Sequence, residues 1–395
     1  MPPDPARPNL VTVLATAAVN VVDVFHVKHA RRTQNLAVLS VLLLFSLAAA
    51  GCAQVAAPEG WAAPVGDENR LYVQLDRGVL WAITIDGTTI SRAWRYPTED
   101  DDLDFDAIYA TPITANSVVY VVSHKGDVVA LNTIDGRPLP AWGAAPVQLG
   151  ARVVATPVFD GSRLFVATEQ GDLFSVDSTN GAATRLYGGG NGRVWSALAL
   201  RAGVIYLGNM DARLVTAIDS GSGETLWEQS VAGAAVADLR IDDDLLLVGS
   251  LDRALHALDL NAGGAQRWQF DGDGWVIAAP VPERGAIYAA TLRGSVYAID
   301  PATGALQWTF HEDGIAFRAQ PVVVGDLLIA IARKGEVFGL NRADGTVRWR
   351  QLIESVTIDA NPLMLGADVL VITTKGDLVR IAADTGTAQR IPDAS

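Results

Sequence analysis

Residues 298–308, Ala298-Ile299-Asp300-Pro301-Ala302-Thr303-Gly304-Ala305-Leu306-Gln307-Trp308, set an Asp, a Gly four positions on and a Trp four positions after that. Asp can hydrogen-bond the backbone of its own turn, Gly supplies a left-handed residue, and Trp is a large plate to wedge against a neighbouring sheet. The same spacing recurs in Asp219-Gly223-Trp227 and Asn341-Gly345-Trp349. It is stretched at the end in Asn132-Gly136-Trp142, Asp177-Gly181-Tyr187 and Asp259-Gly263-Trp268. With Trp94 of the first unit, the wedge column reads Trp94, Trp142, Tyr187, Trp227, Trp268, Trp308 and Trp349.

Two further columns keep the same register. Turn positions fall at Gly78, Gly126, Gly171, Ala212, Arg253, Gly294, Gly335 and Gly376, the last five intervals being 41 residues. Fourteen residues before each stands Pro64, Pro112, Pro157, Leu198, Leu239, Pro280, Pro321 or Pro362. Each unit reads as four short strands. A Pro-marked strand end comes first, since Pro lacks an amide donor. A β-branched strand such as Ile287-Tyr288-Ala289-Ala290 leads into a tight Gly turn, then an alternating third strand, then the strand that carries Trp. One such sheet cannot bury both faces alone, so eight of them stack radially. Units 4 and 5 lack both Pro and Gly, which predicts a different turn type there and marks them for a functional face. Unit 8 lacks the Trp, and Trp61 is a candidate to fill that seam.

In these motifs the chain resembles the pyrroloquinoline-quinone-type, tryptophan-docking β-propellers, over residues 61–392. The resemblance implies an all-β, eight-bladed β-propeller of four-stranded antiparallel blades. The quinoprotein dehydrogenases of that superfamily stack a quinone against a vicinal disulfide beside calcium, whereas this chain has a single cysteine, so no cofactor and no enzyme activity are expected.

That cysteine, Cys52, follows Ala49-Ala50-Gly51 at the end of the apolar run 36–50, itself preceded by Lys28, Arg31 and Arg32. The run is too short for a free membrane span, which needs about 20 residues, and reads as a signal peptide ending in a lipobox. Residues 1–51 are thus a leader, 52–60 a lipidated tether and 61–392 the propeller. With permitted codons, residues 24–29 back-translate to GTG TTT CAC GTG AAA CAT, which contains the palindrome TGTTTCACGTGAAACA and resembles a bacterial centromere site. That reading, against a chance hexapeptide, expects translation to start at a GTG codon for Val24 or Val27, with residues 1–23 or 1–26 outside the protein; other codons at 24–29 would remove it.

The chain has 395 residues, 30 Lys and Arg against 44 Asp and Glu, and a net charge of −14. The leader holds four basic and two acidic side chains, leaving 26 against 42, or −16, from Cys52 onward. Such a balance excludes a nucleic-acid binder. His124, His256 and His311 lie in separate units and read as surface or turn residues. Between units 1 and 2 the run 99–106 places Asp100, Asp101, Asp102, Asp104 and Asp106 together, which suits either calcium or a solvated, partner-docking loop. Lipobox, eight units and docking motif resemble the BamB-like lipoproteins. That likeness implies an exported, lipid-anchored, monomeric and non-catalytic scaffold for other envelope proteins, serving β-barrel assembly where the cell has an outer membrane. A quinone or other ligand in the central channel is the alternative.

Overall fold

The computed structural model describes residues 60–66, 70–86, 89–188 and 192–392. Cys52, the leader, the proposed start sites and all of the tether but Gly60 lie outside them. The described residues form eight four-stranded antiparallel sheets, each made of four consecutive strands, arranged as a ring. The blades span 65–96, 113–148, 158–188, 199–230, 240–271, 281–311, 322–352 and 363–391. Where a unit has its Pro, that residue stands immediately before the first strand, as Pro280 before Val281–Glu283 and Pro362 before Leu363–Leu365.

Strand alternation explains the ring. In the second strand of blade 7, Leu327–Ile331, Leu327, Ile329 and Ile331 pack against Val369, Val371 and Val379 of blade 8. The interleaved Leu328 and Ala330 pack against Tyr288, Val296 and Trp308 of blade 6. Both faces of the sheet are therefore apolar, and each is covered by a different neighbour. Eight such cores occur among the described residues, one at each blade boundary. The eighth joins Leu71, Val73 and Ile90 of blade 1 to Leu370, Ile372 and Ile391 of blade 8. Among the described residues the seam carries no exchanged strand. Side-chain packing closes it, with one backbone bond from Ile90 N–H to Pro392 O at 2.9 Å.

The tryptophans sit between blades. Trp308 Nε1 donates to Arg342 O at 2.8 Å, and a methyl group added to Gly345 would stand 2.5 Å from the Trp308 ring. Trp94, Trp142, Trp268 and Trp349 donate likewise to Thr133, Ser178, Pro301 and Ala383, and Trp227 lies against Gly264. The ring thus fills the space that a Cβ would need, while its N–H satisfies a turn carbonyl.

Four expectations change. Tyr187 is not in the wedge register: it pairs with Leu173, and the backbone of Leu186 occupies the space over Gly223. The glycine under Trp227 is Gly264, while nothing lies near Gly263. In unit 4 the turn residue is Arg213, not Ala212, because the hairpin between Asn209 and Leu214 is one residue longer than its counterparts. Arg213 (φ 56°) and Arg253 (φ 75°) adopt the left-handed conformation themselves instead of switching turn type.

Trp308→Ala should cost about 3–5 kcal/mol of unfolding free energy, as a large-to-small core change that also leaves the Arg342 carbonyl without its donor. Urea unfolding should show this loss. The exposed neighbour Leu306→Ala should be near neutral.

Candidate functional site

The segment leading into each first strand crosses one face of the disk and descends along the axis, so alternate residues face the channel. Three positions before the Pro column they are Trp61, Tyr109, Val154, Trp195, Val236, Ile277, Arg318 and Asp359, one per blade. Two residues deeper they are Ala63, Thr111, Thr156, Ala197, Asp238, Ala279, Gln320 and Asn361. Together with Met210, Leu251 and Leu292 from the turns between second and third strands, most of these residues line a cavity of about 320 Å³.

The deeper layer is a belt. Ala63 N–H donates to Thr111 Oγ1 (3.3 Å), Thr111 N–H to Thr156 Oγ1 (3.0 Å), Ala197 N–H to Asp238 Oδ1 (2.9 Å) and Gln320 N–H to Asn361 Oδ1 (2.9 Å). Each of these four bonds ties one blade to the next through a Thr, Asp or Asn side-chain oxygen. Arg240 crosses to Gln320 at 3.0 Å, and Asn361 Nδ2 reaches Asp238 at 3.4 Å. These polar groups are spent on one another.

The mouth divides into two arcs. Around blades 7, 8, 1, 2, 3 and 4 runs a chain of polar and aromatic contacts. Asp359 pairs with Arg333 (2.6 Å) and Arg318 (3.5 Å), and Arg318 lies 4.7 Å over Trp61. Trp61 packs edge-on against Tyr109, and Tyr109 against His124. His124 lies between Asp106 (3.4 Å) and Glu169 (3.9 Å), and Glu169 accepts from Trp195 Nε1 at 2.6 Å. Arg193 covers Trp195 and pairs with Asp211 at 2.7 Å. The remaining arc, blades 4–6, presents Met210, Leu251, Leu292, Val236, Ile277 and Trp275. Trp275 is 51% exposed and Trp195 36%.

Several sequence candidates land elsewhere than expected. Trp61 lies in the channel, not in the outer seam. His256 is buried, with Nδ1 2.9 Å from Gln266 Oε1 and Nε2 2.9 Å from Asp252 Oδ2. His311 faces Ser295 and Asp313. The acidic run is dispersed: Asp106 pairs with Arg77, Asp104 with Lys125 and Glu99 with Arg95, while Asp101 caps Thr98 and Asp100 and Asp102 face solvent. Among the described residues no three His, Cys, Asp or Glu side chains are gathered as metal ligands. Burial pushes the Asp106 carboxyl upward, but the Ala107 amide, Arg77 and His124 outweigh it and hold it below the usual range.

Residues 49–214 and 211–394 each match the family described as outer membrane protein assembly factor BamB. The chain belongs to that family. No curated protein matches it in sequence. Among solved structures, BamB from Moraxella catarrhalis shares the fold at 19% identity and a TM-score of 0.66, over 83% of this chain and 94% of that one. The computationally designed Ika8 protein matches at 15% identity and 0.66, over 85% and 97%. A europium-containing methanol dehydrogenase matches at 12% and 0.62, over 80% and 81%. The quinone site of the dehydrogenase superfamily does not fit the residues of this BamB-family chain. Its one cysteine allows no vicinal disulfide, and Asp238 and Asp359 are held by Arg, Asn and amide partners within the belt and mouth.

Asp211 has a strongly lowered carboxyl at the mouth. Two hydrogen bonds from the Arg193 side chain and one from its amide bring its carboxyl down to about 2 from 3.8. A depressed folded value means that the pair's stabilisation is fully present above the unfolded carboxylate value and lost as pH falls toward about 2. Carboxyl NMR should find the Asp211 midpoint near 2, and Arg193→Ala should return it toward 3.8.

Proposed function

We propose that the protein is an extracytoplasmic, lipid-anchored scaffold that binds other envelope proteins and performs no chemistry of its own. Membership of the BamB family carries the reading. In a cell with an outer membrane it extends to β-barrel assembly, the role named in that family's description. The site geometry is consistent with it: the polar groups of the channel tie blades together, whereas the channel mouth at blades 4–6 carries Met210, Leu251, Trp275 and Leu292.

Anchoring through Cys52 supplies the localisation. Among the described residues no helix is long and apolar enough to cross a membrane. Residues 53–60 span at most about 26–29 Å when extended, which holds the disk close to the bilayer. More than one acyl chain on such a cysteine gives stable attachment.

A second reading, a small ligand held in the channel, draws on the cavity of about 320 Å³ flanked by Trp61, Trp195 and Trp275. A thermal-shift panel of quinones, metals and sugars separates the two. Stabilisation by any of them at micromolar concentration would favour the ligand.

Cys52→Ser should move the protein from the membrane to the soluble fraction, and continued membrane retention would contradict the anchor. Mild crosslinking of the anchored protein in native membranes should recover a stoichiometric protein partner. Recovery of none would count against the scaffold.

A further inference from the structure

At six of the eight turns between second and third strands the left-handed residue is Gly, from φ 70° at Gly78 to 98° at Gly335. The backbone asks for Gly there because a side chain at positive φ is strained. Blades 4 and 5 instead place Arg213 and Arg253 in that conformation, and both side chains are exposed. These are neighbouring blades, and they are the ones whose turns contribute Met210 and Leu251 to the apolar arc. The next turn carries Leu292 followed by exposed Arg293, whose stem lies against Gly274 beside Trp275. Three consecutive turns thus each pair an apolar residue facing the channel with an arginine.

The acids nearest them hydrogen-bond other groups and, among the described residues, form no ion pair with these arginines. Asp211 is held by Arg193, Asp252 by His256 and the Ala254 amide, and Asp273 by Thr291 and Ser295. Among the described residues Arg253 and Arg293 form no ion pair, and Arg213 reaches only the Ala232 carbonyl, at 3.4 Å. Three exposed arginines without an ion pair, set beside a partly exposed apolar arc, form a surface that suits an apolar segment carrying carboxylates.

We propose that Trp195, Met210, Leu251, Trp275 and Leu292, with Arg213, Arg253 and Arg293 beside them, form a docking site for an extended segment of a partner protein. The segment has apolar side chains at its centre and carboxylates on either flank. Its apolar anchors enter the channel mouth between Trp195 and Trp275, and its carboxylates reach the turn arginines. The proposal rests on the scaffold reading and adds the face and the partner's chemistry. The strained arginines are the cost in stability that binding offsets.

The first test uses two fluorescein-labelled heptapeptides with a Leu-Phe-Leu centre, one with two Glu at each end and one with two Lys. Anisotropy should show the Glu-ended peptide binding at least tenfold tighter, weakening with salt. Arg253→Gly should reduce that binding about tenfold while raising Tm by about 2 °C, because it removes strain and leaves the fold intact. No binding, equal binding of the two peptides, or a Tm that falls with Arg253→Gly would overturn the site. The second test places a photo-crosslinker at Leu251, and at Asp300 in a third-to-fourth-strand turn outside the arc, in the anchored protein in native membranes. Protein adducts at Leu251 that vanish with Arg253→Gly are expected. Adducts only at Asp300, or lipid adducts at Leu251, would overturn this site and leave the scaffold standing, whereas no adduct at either position would remove both.

Discussion

Each blade is apolar on both faces, and everything else in the molecule follows from that. A sheet facing water on one side can be covered by a single layer. One whose second strand reads Leu-Leu-Ile-Ala-Ile needs two neighbours, and a row of such sheets leaves uncovered ends unless it closes. Closure leaves a central channel, and the eight repeat units set the number of blades around it. The tryptophans refine this solution: an indole over a glycine sets the spacing between blades, and its N–H ties the outer strand of one blade to a turn of the next.

The channel is a by-product that acquires its own chemistry. Because every blade delivers one residue to each depth of the channel, its lining is a ring of eight independently variable positions. At the deeper level those positions hold Thr, Asp and Asn that tie adjacent blades together. At the mouth they split into an aromatic and ionic arc, linked by pairwise contacts and ending at partly exposed Trp195, and an apolar arc on blades 4–6.

Much of this was legible in the linear chain. The Asp-Gly-Trp and Pro columns delimit all eight blades, and the four-strand reading of a unit matches the sheets. The channel lining was equally available, three residues ahead of each Pro, but its variety of side chains, from Trp to Asp, hides it from a search for similarity. Register slips were less visible. The longer hairpin of blade 4 shifts its turn from Ala212 to Arg213, and the 41-residue spacing conceals this because the next interval shortens by the same amount. Tyr187 misled for a related reason: an aromatic near the right spacing is not in the wedge register when the bulge moves along the strand, as it does after Leu173. His256 looked peripheral because nothing local shows that Asp252 and Gln266 enclose it.

The seam between blades 8 and 1 bears on how the chain reaches this state. Seven of the eight inter-blade cores join segments adjacent in sequence and can form in order as the chain emerges. The eighth joins Leu71 and Val73 to Leu370 and Ile391, about 300 residues apart, and forms last. Until residue 391 arrives, the first blade holds one apolar face open to solvent. During that interval a sheet face with exposed Leu and Val is prone to aggregation. Ring closure, not blade formation, is therefore the slow and vulnerable step, and a chaperone acting on this protein would have the N-terminal blade as its substrate.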